Sequence, residues 1–237
     1  GYAPGRSGLP RSGFAAESGD QQGTPKDVCE NYLEAFYEAQ QGKSTTTRIK
    51  ATKQSQSIGI AKDQRQEFIN ASNLRNDLKL FEFDADAPSF GKGRAQITSV
   101  LFLNTQGHPL AWIVGGEEVL LRVEVMAHSM LDSPIIGFHV KDKLGQALFG
   151  DNTHLSYMEN PVICENGDRL VAEFTFVMPR LATGDYSVSV AIANGSQQDH
   201  VQHHWIHDAI YFKSESTSVA AGLIGIPMSN IYFNNFR

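Results

Sequence analysis

The chain has 237 residues, 41% of them apolar, with a net charge of −6 and 19% charged residues. That is enough apolar material for one good core, on a chain less charged than the roughly 25% of an average globular protein, and it excludes the basic face of a general nucleic-acid binder. No run reaches the ~18 apolar residues of a transmembrane helix, and no apolar signal core opens the chain. The two cysteines, Cys29 and Cys164, lie in regions of different character, which argues against a disulfide framework and for a reducing compartment.

Residues 1–23 are rich in Gly, Ser, Pro and Arg and read as a flexible tail without a fold of their own. Residues 24–42 read as an amphipathic helix. Thr24 can cap, Pro25 fits the first helical position, and Val28, Tyr32, Ala35, Phe36 and Ala39 recur at three- and four-residue spacing up to the stop at Gly42. A single such helix needs a partner to cover its apolar face. Residues 43–84 are dominated by Ser, Thr, Gln and Lys in their first half and read as a polar linker, with scattered helical spacing at Phe68, Ala71, Leu74 and Leu78.

From Arg94 on the pattern changes to period two, and residues 85–237 read as one β-sandwich domain. Ile97, Ser99, Leu101 and Leu103 are expected on one face of a strand. Val119, Leu121, Val123 and Val125 share a face opposite Arg122 and Glu124. Leu170, Ala172, Phe174 and Phe176 alternate with Val171, Glu173 and Thr175, and Tyr186, Val188, Val190 and Ile192 alternate with Ser187, Ser189 and Ala191. The turn sequences "NTQGHP", "VGG", "DKLG", "ENGD", "ATGD" and "ANGS" separate these runs. At least seven short strands without interleaved helices predict an all-β fold, an antiparallel sandwich.

Familiar catalytic motifs are missing. "YEAQQGKST" lacks the glycine that a phosphate loop places five residues before its Gly-Lys pair, because Tyr37 stands there. No G-x-S-x-G elbow or H-E-x-x-H helix is present. Cys164 has no evident base beside it and reads as a small buried hydrophobe. Asp132, Asp142, Asp151 and Asp168 sit in or next to turns, where they shape backbone rather than act as an acid–base pair.

The densest chemistry is "DHVQHHWIHD" at 199–208, which holds four of the chain's eight histidines. On a strand, His203, Trp205 and His207 would share one face and His204, Ile206 and Asp208 the other. His203 and His207 would then be about 13 Å apart, too far to share one metal ion without ligands such as His139 or His154 from neighbouring strands. No metal or other cofactor is therefore assigned. Two readings stay open: a plain sandwich strand, or a surface on which sugar rings stack while their hydroxyls bond to polar side chains. "GDNTHLSY" at 150–157 offers a similar mix. The candidate sugar contacts are His139, Asn152, Thr153, His154, Tyr157, His203, Trp205 and His207. Alanine at Trp205 or Tyr157 is expected to weaken binding without unfolding the chain.

Taken in series, "FGKGRAQITSVLFLNTQG", "GEEVLLRVEVMAH", "IIGFHVKDKLGQALFGDNT", "LATGDYSVSVAIANG" and "HHWIHDAIYF" resemble the C-terminal domain of Wzt, the nucleotide-binding subunit of an ABC transporter that exports O-antigen polysaccharide. The pattern G-x-x-V-x-D-x-x-G-x-x-x-F-G-x-N-T is the most specific part, and "GTPKDVCENYLEAFYEA" is similar to the last helix of such an ATPase domain. The resemblance implies an Ig-like sandwich that forms a homodimer by exchanging C-terminal strands, here "SVAAGLIGIPMSNIYF" after the hinge "KSESTS". It implies a non-catalytic carbohydrate-binding module, peripheral on the cytoplasmic side of the inner membrane of a Gram-negative bacterium. That module recognises the non-reducing end of the completed lipid-linked glycan, and the ATPase domain links it to the transmembrane subunit. A dimerisation domain without its own ligand is the alternative.

Overall fold

The computed structural model describes Lys26, residues 63–215 and residues 222–235. The tail at 1–23, the helix expected at 24–42 (apart from Lys26) and the first half of the expected linker lie outside the described residues. The described chain runs through helix α1 (Gln66–Asn70), then strands β1 (Asp77–Leu80), β2 (Ser89–Phe90), β3 (Ala95–Leu103), β4 (Trp112–Val114), β5 (Glu118–Ala127), β6 (Pro134–Asp142) and β7 (Ala147–Asn152). A one-turn helix α2 (His154–Tyr157) comes next, and then β8 (Arg169–Val177), β9 (Arg180–Leu181), β10 (Gly184–Gly195), β11 (His200–Ser214) and β12 (Ile224–Gly225).

Two antiparallel sheets carry the core. The larger has seven strands in the order β4-β1-β11-β10-β6-β7, with β2 also paired to β11, and the smaller has the order β3-β5-β8. The expected alternation holds where pairing is regular. Val119, Leu121, Val123 and Val125 of β5 are buried and face Val188, Val190 and Ile192 of β10 across a single cluster that also takes in Phe102, Phe138, Ile206, Ile210 and Phe212. Apolar side chains enter from both sheets because each sheet alone would leave one face wet.

The alternation fails in β3. A bulge lies between Ile97 and Ser99, and one extra residue reverses the facing of everything after it. Val100 and Phe102 therefore enter the core, while the expected Ser99 and Leu101 do not.

The large sheet also begins earlier than the boundary at residue 85. Leu78 of β1 is fully buried opposite Ile113 and Ser214. Ahead of it, Asp63 accepts from Arg180 Nη1 at 2.6 Å and from Arg65 Nη2 at 3.0 Å, and Arg180 also reaches Gln66. Burial opposes the charge on Asp63, but the Arg65 and Arg180 hydrogen bonds override it and hold the carboxyl well below the usual range. Residues 63–84 are thus an anchored part of the β unit. Removing either partner would leave the other as an uncompensated buried charge.

Candidate functional site

The sheet register places one row of side chains across the outer face of the seven-stranded sheet. Phe90 pairs with Trp205, Trp205 with Ala191, Ala191 with Gly137, and Gly137 with Asn152. Cross-strand partners project to the same face, so side-chain size along the row sets the relief. Two rings stand at one end, with Phe90 and Trp205 stacked at 5.9 Å. A methyl and a hydrogen come after them at Ala191 and Gly137, and an amide rises again at Asn152. The dip is a pocket of about 120 Å³, with His139 and Ser189 on one side and Ala193, Gln202 and His200 on the other. A Cβ on Gly137 would stand 2.9 Å from Asn152 Cβ, so only glycine keeps that wall back.

The rim is rich in hydrogen-bonding groups and carries one carboxylate, Asp151, whose Oδ1 accepts the Asn152 N–H at 2.7 Å. Asn152 Oδ1 accepts from the His154 N–H at 2.9 Å and its Nδ2 donates to Gln197 Oε1 at 3.3 Å, which fixes the amide. His200 Nδ1 lies 3.0 Å from the Ser196 carbonyl. A carbonyl only accepts, so Nδ1 carries a proton and donates it there. Gln202 contributes a buried Oε1 with no hydrogen-bond partner among the described residues, an acceptor with bonding capacity in reserve. His139 leans on Trp205 at 5.9 Å. Desolvation by the surrounding protein, and then the Lys141 charge, lower its pKa; His154 is lowered by desolvation and then by His200. Both rings are neutral near pH 7, able to donate from one nitrogen and accept at the other.

The structure brings His139, Asn152 and Trp205 of the expected contacts into this pocket. His154 lines an adjoining cleft of about 300 Å³ that shares Asp151, Asn152 and Gln197 with it. Thr153 and Tyr157 line a separate cleft of about 670 Å³ beside β8. Thr153 is committed to the backbone, its Oγ1 accepting from the Ile136 N–H at 3.1 Å.

The histidine strand is not an open surface. His203, Trp205 and His207 are only 3%, 4% and 5% exposed. Register shifts in β11 explain the difference. Ile192 pairs with His204 but Ala193 with Gln202, which makes His203 the extra residue of a bulge. Its side chain lies with His128 and His204 along another cleft, while His204 Nδ1 accepts the Ile97 N–H of the opposite sheet at 3.0 Å. His207 packs against Phe90 and Trp205. Trp205 therefore forms a packed wall rather than a free stacking platform, and alanine there removes core packing as well as pocket shape.

Alternation along the chain could not reveal Gly137, Ala191, Gln197, His200 and Gln202, which complete the pocket. His200 and Gln202 lie in the histidine-rich stretch 199–208; Gly137 and Ala191 carry no chemical signal, because their role is to be small. Among the described residues, no three His, Cys, Asp or Glu side chains converge as metal ligands. Cys164 is buried, and that burial pushes its thiol pKa up, away from a nucleophile's range. No helix among the described residues is long and apolar enough to cross a membrane.

A family model described as the Wzt C-terminal domain matches residues 86–226. Among solved structures, the chain is similar to the crystal structure of the C-terminal domain of Wzt, at 20% identity and a TM-score of 0.53, covering 65% of this chain and 91% of that one. A second match, chicken MD-1 complexed with lipid IVa, has 10% identity, covers 55% of this chain and 99% of that one, and has a TM-score of 0.25, from which no common fold can be argued. No curated protein matches the chain in sequence.

Proposed function

Because the chain belongs to the family of Wzt C-terminal domains, we propose that it is the carbohydrate-binding module of an O-antigen polysaccharide transporter, reading the non-reducing end of the finished lipid-linked glycan. The observation that carries this reading is the pocket over Ala191 and Gly137. Its floor is apolar, and its rim offers donors and acceptors from Asn152, Gln202, His139 and His200 beside the Asp151 carboxylate. Sugars present that combination, with C–H faces and hydroxyls on one ring. Size supports a chain end. About 120 Å³ is less than the ~150 Å³ cavity that holds benzene, so the pocket takes one edge of a terminal residue with its substituents, and the adjoining cleft at His154 and Gln197 takes the next sugar of the chain.

In this reading the role of the site is binding rather than turnover. In the transporter reading the module is peripheral on the cytoplasmic face of the inner membrane, and an ATPase domain links it to the membrane-spanning subunit. The sheets adopt an Ig-like sandwich and pair as a homodimer. Exposed apolar side chains on the C-terminal segment favour that pairing: Phe233 is 95% exposed and Tyr232, Ile231, Ile226 and Leu223 are exposed beside it. Among the described residues the segment pairs with β9 through the two-residue β12 and bonds to Gln64, which donates its N–H to the Met228 carbonyl at 2.9 Å.

A pocket that buries one terminal residue should bind between micromolar and millimolar, about −8 to −4 kcal/mol. Titration calorimetry against the cognate O-polysaccharide, with native ends and with the terminal residue removed, tests the reading. Heat with native ends alone is expected, and it should vanish in Asn152→Ala. Equal heat from both glycans would defeat end recognition, and no heat from either would leave a dimerisation domain.

A further inference from the structure

The outer face of the seven-stranded sheet carries a second constructed feature. Against β10, the register of β11 jumps from Val190↔Ile206 to Val188↔Ile210, so residues 207–209 bulge. Asp208 takes φ +54 there, the one positive φ among the described non-glycine residues. Aspartate tolerates the left-handed region at some cost, and such a conformation persists where its surroundings enforce it. The bulge carries the Asp208 carboxylate out of the core and onto the face that holds Ser187 and Ser189. Its N–H reaches Ser189 Oγ at 3.4 Å, and its Oδ2 accepts from the Tyr211 hydroxyl at 3.1 Å.

Asp208 is 4% exposed, and a carboxylate this buried stays ionised only with a cation at hand. Lys26 supplies it. Its Nζ pairs with Asp208 Oδ2 and stands 5.5 Å from the Tyr211 ring centroid, a cation–π position. Its stem passes Gly145, where φ is +80 and a Cβ would come within 3.4 Å of Lys26 Cγ. The Gly145 turn is itself held by Asp142 Oδ1, which accepts the Leu144 and Gln146 N–H groups at 2.9 Å. One lysine thus meets a buried carboxylate, an aromatic face and a turn without a side chain.

We propose that Asp208, Tyr211 and the Gly145 turn form a lysine socket that latches the chain's own Lys26 onto the sheet face that holds the pocket. The latch and the pocket are physically joined, since Ser189 both lines the pocket and accepts the Asp208 N–H. The socket stands whatever ligand the pocket binds.

Lysine footprinting of the full chain with an amine-reactive reagent, read residue by residue by mass spectrometry, tests it. Lys26 should react about fivefold or more slowly than Lys213, the factor that 1 kcal/mol of docking gives; the Lys213 side chain is 50% exposed. Asp208→Asn keeps the left-handed backbone and should bring Lys26 up to the Lys213 rate. Tyr211→Leu, at a half-exposed position, should raise it part of the way and keeps the test valid if Asp208→Asn fails to fold. Equal rates for Lys26 and Lys213 in the unaltered chain, or protection unchanged in both variants, would overturn the socket. A mixture of Lys26→Gln chains with Asp208→Asn chains separates the two sources of lysine. Restored protection in the mixture would move the contact to a second copy and overturn the intrachain latch, whereas continued reactivity supports it.

Discussion

The two sheets share one core and the same alternation, yet their outer faces differ. On the small sheet, the side chains opposite the core are Arg122, Glu124, Val171, Glu173 and Thr175, and cross-strand ion pairs join Arg122 to Glu173 and Arg169 to Glu124. That is a solvated face of ordinary kind, and its exposed pairs contribute little. On the large sheet the outer face is buried along β10 and the middle of β11. Ser187 and Ser189 of β10 and Trp205, His207 and Asp208 of β11 are all sealed. Polar groups are retained there at the cost of desolvation, which is where binding geometry is worth seeking.

Substitutions on each face can break this contrast. Trp205→Ala, on the outer face of the large sheet, should behave like a core truncation and cost about 3–5 kcal/mol in urea unfolding. A loss under 1 kcal/mol would mean that face is not a second core. Gly137→Val fills the pocket floor and should reduce glycan affinity at least about tenfold, or ~1.4 kcal/mol, in calorimetry on folded protein; unchanged affinity would take the ligand out of this pocket.

Acid gives a graded effect that distinguishes the sheets. Desolvation lowers the pKa of His139, His154, His203 and His204 below the ordinary 6.5. The unfolded chain then binds protons first, so stability is complete above pH 6.5 and falls as pH drops through the folded values. Protonating His204 also breaks its bond from the Ile97 N–H, one of the ties between the sheets. Urea midpoints measured from pH 7.5 to 5 should fall, and His204→Gln should flatten the slope. Smallest of all, Arg122→Ala on the small sheet should change stability by less than about 1 kcal/mol and leave glycan binding untouched.

Regular strands were legible from sequence because solvent on one side and core on the other impose period two, as in β5 and β8. Irregular ones were not. The bulge after Ile97 and the two in β11 each break the phase, and nothing in "DHVQHHWIHD" announces that His203 is an extra residue or that Asp208 turns left-handed. Leu78 fits a helical spacing within a polar linker, yet it fills a core position of β1. A four-residue strand has too few alternations to outweigh its polar neighbours.

The chain by itself determined its class, its family resemblance and the supply of His, Asn and Trp side chains near one another in sequence, since all three depend on local pattern and residue chemistry. Tertiary structure alone decided that Gly137 and Ala191 lie side by side as a floor, that Trp205 became a wall, and that Asp208 met Lys26 from 182 positions away. The reason is register. Which residue stands opposite which depends on how distant strands pair, and bulges reset that pairing without a signature in either strand.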